Sequence, residues 1–148
     1  MPVRDVQSEI IARLQTVLGG VAPVEEGDVR AIFDAEDDGR ADEFIVLQPG
    51  QTEEVLGGHP RMPNSVPERV VINIVLVSQK RQYAPGLRAM RLAVKVATAG
   101  PRCGLDEVRG ISSAAFQPET PTRPDQGLRW AAHVMPLQVT YTQPLTER

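Results

Sequence analysis

The sequence predicts a single α+β domain over residues 1–148: a mostly antiparallel or mixed β-sheet packed with two main α-helices and linked by long proline-rich loops. Two segments space their apolar residues as helices do and several others as strands do, while glycine and proline cluster between them. At 148 residues, one core can form without disulfides or metal.

The elements follow in chain order. Val3, Val6, Ile10, Ile11, Leu14, Val17 and Leu18 fall on one arc of a helical wheel, with Asp5, Ser8, Glu9, Arg13 and Thr16 on the rest. An amphipathic helix is predicted, stopped by Gly19 and Gly20 and kept stopped by Pro23. In "DVRAIFD", residues 28–34, β-branched and aromatic side chains predict a short strand. A polar turn, "AEDDGRAD", then leads into a second strand, "EFIVLQ". Residues 49–68 hold four prolines and three glycines and are expected to form a long loop, a kind that tends to be used for contact.

The next stretch, "RVVINIVLV", is a strand with almost no wet side. Val70, Ile72, Ile74 and Leu76 share one face and Val71, Asn73, Val75 and Val77 the other. Something must cover the second face, either a helix or another subunit. "YAPGLRAMRLAVKVATAG" predicts the second main helix, with Pro85 near its start and Gly100 and Pro101 at its end. Its wheel carries one apolar arc of Leu87, Met90, Ala93, Val94 and Ala97 and another of Ala89, Leu92 and Val96, with Arg88, Arg91 and Lys95 as a narrow wet stripe between them. "VRGISSAAFQP" reads as a strand, "ETPTRPDQG" as a proline-rich loop, and "LRWAAHVMPLQVTY" as a long final strand whose Ala131, His133, Met135, Leu137, Val139 and Tyr141 share a face. Pro136 cannot donate to a ladder, which predicts an edge position or a bulge for that strand.

Composition excludes several classes. The longest apolar runs are too short to cross a bilayer, the N-terminus lacks the apolar stretch of a secretion signal, and the lone Cys103 can form no internal disulfide, so a soluble protein made in a reducing cytoplasm is expected. One Trp, two Tyr and three Phe leave few platforms for stacking bases or sugars. The net charge of −3 is unevenly spread: residues 25–43 hold nine acids against Arg30 and Arg40, whereas basic residues dominate after them. This pattern is either a solvated loop facing a solvated helix or a two-poled particle that stacks on unlike neighbours.

Reactive chemistry finds little support. "DAEDDG" opens like a calcium loop, but Ile45 stands where a bidentate glutamate is required. His59, His133 and Cys103 lack paired metal-ligand spacing; His133 is expected as a hydrogen-bonded core or interface residue and His59 as an exposed one. Ser65 has no nucleophile elbow, Cys103 reads as packing although Arg102 beside it could lower a thiol pKa, and "VLGGHP" is a turn rather than a phosphate cradle. No cofactor or metal site is expected. The stripe of Arg88, Arg91 and Lys95 could meet phosphate or an acidic neighbour, but three bases on one helix make weak grounds for nucleic-acid binding.

In their order, the helix "VQSEIIARLQTVL", the charged segment "AIFDAEDDGRADEFIVLQ", the strand "RVVINIVLV", the helix "APGLRAMRLAVKVA" and the closing strand "AAHVMPLQVTY" resemble the tail terminator, or tail completion, proteins of long-tailed bacteriophages and related minor tail proteins. The resemblance spans nearly the whole chain and rests on architecture and texture rather than on a motif. It implies a non-enzymatic structural protein of the virion, made in the host cytoplasm. Such proteins form a ring, usually of six copies, that caps the tail tube, ends tail polymerisation and receives the head-tail connector or neck protein. Genome DNA would pass through the lumen without sequence-specific binding, and no membrane is involved. Ring or subunit contacts are expected at Arg88, Arg91 and Lys95, at Pro60, Arg61 and Pro63 of the first long loop, at Pro121 and Pro124 of the second, and at Asp37 and Asp38 of the acidic turn. The acidic segment would face the lumen and repel DNA, or meet a basic face of the tube; the residues leave both open. Two other readings stand beside this one: another neck, tube or head-completion protein, and a small cytosolic enzyme or ligand-binding domain whose pocket uses His133 and the acidic hairpin.

Overall fold

The computed structural model describes residues 2–34, 39–122 and 130–146. They form one α+β domain with the order α1 (Val6–Leu18), β1 (Val24–Glu26), α2 (Val29–Asp34), β2 (Glu43–Glu54), β3 (Ser65–Ser78), α3 (Tyr83–Ala97), β4 (Ile111–Phe116), β5 (Thr120–Thr122) and β6 (Ala131–Pro144). The sheet runs β1-β2-β3-β6-β4, with β5 also on β6. Only β1 and β2 pair in parallel, so the expected mixed and mostly antiparallel sheet is what forms.

α1 starts where the Asp5 carboxylate accepts a hydrogen bond from Ser8 N–H at 3.3 Å, and it buries Val6, Ile10, Ile11, Leu14 and Leu18. Val3 lies before the helix and is exposed, so the predicted arc begins one turn too early. α1 and α3 lie on the same face of the sheet. Their apolar rows meet Ile45, Leu47, Val70, Ile72, Ile74, Leu76, Met135, Leu137 and Val139 in the main core.

The second face of the sheet is covered in part, and by an element read differently from sequence. Residues 29–34 are helical, not a strand. Asp28 Oδ1 accepts from Arg30 N–H at 3.0 Å, Gln48 Oε1 accepts from Val29 N–H at 3.0 Å, and Val29 and Ile32 then face the sheet three residues apart. Capping and tertiary burial override the β-propensity of the segment. Ile32 joins Phe44, Val46, Val75, Val77, Trp130 and Ala132 in a smaller core, where the Phe44 and Trp130 rings meet edge to face at 5.3 Å. Farther along the same face Val71 and Asn73 are only half-buried.

Two other expectations are corrected. Residues 49–68 are mostly a β-hairpin: β2 continues past Pro49 and Gly50 through a bulge between Pro49 and Thr52, and β3 begins at Ser65. A bulge accepts a residue without a ladder donor, so proline and glycine here bend the strand instead of ending it. The closing strand is not at an edge. β6 pairs with β3 over its full length and takes β4 and β5, end to end, on its other side. Gln117 N–H donates to Pro136 O at 2.8 Å on that side. A strand residue turns its N and its C=O to the same edge, so the missing donor of Pro136 faces the break between β4 and β5.

Candidate interaction surface

α3 presents three stripes. Leu87, Met90 and Val94 are buried in the main core. Beside them lie Arg91 and Lys95, and beyond these Pro85, Ala89, Leu92 and Val96, spaced by four, three and four residues on the outer side. Leu92 is 61% and Val96 70% exposed, the largest values among the described residues for big apolar side chains apart from Met62. The two apolar arcs read from the sequence are therefore real, and the second of them is uncovered.

Two residues of the basic stripe, Arg91 and Lys95, are engaged within the chain. Glu119, just before β5, receives two hydrogen bonds from Arg91, from Nε to Oε1 and from Nη2 to Oε2, the latter at 3.1 Å. Lys95 Nζ stands 3.3 Å from Oε2 and His133 Nε2 2.7 Å from Oε1. The hydrogen bond from Arg91, aided by His133 and Lys95 and opposed by partial burial, holds the Glu119 carboxyl down to about 2. Lys95 also lies 4.2 Å above the ring of Phe116 on β4. Two of the three bases thus pin the β4–β5 segment to α3. Arg88 alone is exposed and has no ion-pair partner among the described residues. The sequence offered no signal for Glu119, which lies 28 residues from Arg91 in a stretch read as loop.

Arg88, Arg91 and Pro121 come together with Tyr83, Leu87 and His133 around an open cleft of about 530 Å³. Pro60, Arg61 and Pro63 do not join them; they are exposed on the loop between β2 and β3, where Arg61 Nε donates to Glu54 Oε1 at 2.9 Å. Asp37, Asp38 and Pro124 lie outside the described residues.

His133 is the half-buried, hydrogen-bonded residue expected, and His59 is exposed. Cys103 is buried, and burial pushes its thiol up despite the opposing charge of Lys95, the opposite of what a nucleophile requires. A Glu119 carboxylate that stays ionised far below neutrality is likewise ill-suited to proton transfer near pH 7. Among the described residues no group of three or more His, Cys, Asp or Glu is placed to hold a metal, and no helix is long and apolar enough to cross a membrane. No protein-family model matches the chain, and no curated protein matches it.

Proposed function

We propose that the chain is a structural subunit that assembles with copies of itself into a ring, as the resemblance to phage tail terminator proteins implies, capping a tail tube and joining it to a neck component in the virion. The observation that carries this reading is the outer stripe of α3, where Leu92 and Val96 stand uncovered beside Arg88, which has no ion-pair partner among the described residues. A monomer gains nothing by presenting two large aliphatic side chains to water on a helix that already buries a full apolar face, whereas an assembly removes them from it. The groups with displaced pKa values support the same reading, since Glu119 and Cys103 are displaced away from reactivity.

The test is the mass of the purified protein by light scattering across a range of concentrations, with ring-shaped particles sought by electron microscopy. Oligomers that disappear in Leu92→Asp/Val96→Asp, with the thermal transition of the monomer unchanged, are the expected result. A wild-type chain that stays monomeric at every concentration overturns the reading.

A further inference from the structure

The flank of α3 that turns toward β5 carries chemistry that the ring reading leaves unused. The open cleft of about 530 Å³ lies between the first half of α3 and the β5–β6 pair, with Leu87 and Ala84 on the helix and Pro121 and Ala132 on the strands supplying apolar lining. Its volume falls in the range of pockets that hold small organic molecules. On the helix the cleft residues and the outer stripe of Leu92 and Val96 are separate, and Arg88 stands between them.

None of the residues lining the cleft is acidic, and several bring donors that the chain itself does not use. Glu119 takes Nε and Nη2 of Arg91, which fixes the plane of that guanidinium and leaves Nη1 without a partner among the described residues. Arg88, three residues earlier, makes no ion pair there, and the hydroxyl of the half-buried Tyr83 makes no hydrogen bond there. The local charge is positive in sum. Behind the cleft the one carboxylate of Glu119 faces both Arg91 and Lys95, and Glu43, beside Gly86, is matched by Lys80, so Arg88 and the exposed Arg81 are left over. An inorganic anion would use the cations and leave the apolar lining wet, and a neutral apolar molecule would do the reverse. A molecule with a charged head and an apolar body satisfies both.

We infer that this cleft binds a small organic anion, a carboxylate or phosphate head on an apolar body, with the head at Arg88 and Arg91 Nη1 and the body over Leu87 and Pro121. The inference does not depend on the ring reading. Glu119 has a second role in it, since the carboxylate that ties β5 to α3 also holds Arg91 in place for the head group.

The test is calorimetric titration of the purified chain with octanoate and octyl phosphate, and with octanol and inorganic phosphate as the probes that lack the charge or the body. One of the two octyl anions, the tighter naming the head group, is expected to bind about tenfold or more tighter than either control. Arg88→Ala should weaken it about tenfold. Ala84→Phe, at an exposed position of the lining, should fill the cleft and abolish binding with the thermal transition unchanged. Leu92→Ser/Val96→Ser should leave binding as it is, because the outer stripe lies on the far side of Arg88. Octanol that binds as tightly as the anions, or no binding of either anion at millimolar concentration, overturns the inference. So does binding that survives Ala84→Phe and is lost in Leu92→Ser/Val96→Ser, which would put the probe on the outer stripe.

Discussion

Glu119 ties one end of the β4–β5 segment to α3 through Arg91 and Lys95 and to β6 through His133, and its side chain is only 16% exposed. Its folded-state pKa, about 2, lies below the ordinary 4.5. The stabilisation it supplies is therefore fully present above the unfolded value and is lost as pH falls from about 4.5 toward 2. In urea titrations Glu119→Gln should lose about 1–3 kcal/mol at pH 7 and show a shallower decline below pH ~5 than the wild type. Parallel acid declines would mean that the carboxylate is not held this way. A second residue-scale constraint concerns Gly86 in the first turn of α3, where an added Cβ would run into Glu43 Oε2. That oxygen is buried without a hydrogen-bond partner among the described residues, while Oε1 lies 3.4 Å from Lys80 Nζ. Alanine normally gains about 1 kcal/mol over glycine inside a helix, so Gly86→Ala should be neutral or destabilising in the wild type and stabilising by about 0.5–1 kcal/mol in a Glu43→Ala background. A double-mutant cycle without coupling would contradict the packing. Neither contact could be read from the chain, because each joins residues far apart in sequence: 28 positions for Glu119 and Arg91, and 43 for Glu43 and Gly86.

At the scale of elements, what could be read ahead of the structure were the segments whose pattern is long and two-sided. α1, β3 and α3 follow directly from apolar spacing, because burial selects one period over a dozen residues and tolerates few exceptions. The misread elements are those decided by a few polar or backbone groups. In α2, Asp28 converts a β-prone hexapeptide into a helix by satisfying an N–H of its first turn. At Pro49 a bulge carries β2 onward where a loop was expected, and at Pro136 the gap between β4 and β5 lets a proline sit in an interior strand. The helix α2 is thus the element most dependent on one cap. Asp28→Ala should cost about 1 kcal/mol, seen as a lower urea midpoint at unchanged slope, with faster amide exchange confined to residues 29–34. Exchange that stays as slow as in the wild type would mean that Ile32 and the smaller core suffice to hold the helix.

At the scale of the molecule, the doubly greasy strand that made the sequence unusual has a divided solution. One face carries two helices, and the other carries a short helix and Trp130 over half its length. The apolar surplus ends up on the outside of α3 rather than on the sheet, and periodicity alone could not tell which of the two arcs would remain uncovered. If that surplus closes a ring, each copy contributes two unlike contact surfaces, and a copy lacking the α3 stripe keeps the other. A Leu92→Asp/Val96→Asp subunit should then enter an assembly at one side and leave it open at the other. In a random mixture the fraction of closed rings falls as the intact fraction raised to the copy number. For six copies, one-tenth defective subunits would leave about half the rings closed, and for two copies about four-fifths. Particle counts by electron microscopy across such a dilution series measure the exponent directly. An exponent of two would indicate a simple dimer, and a higher one a ring of that many subunits.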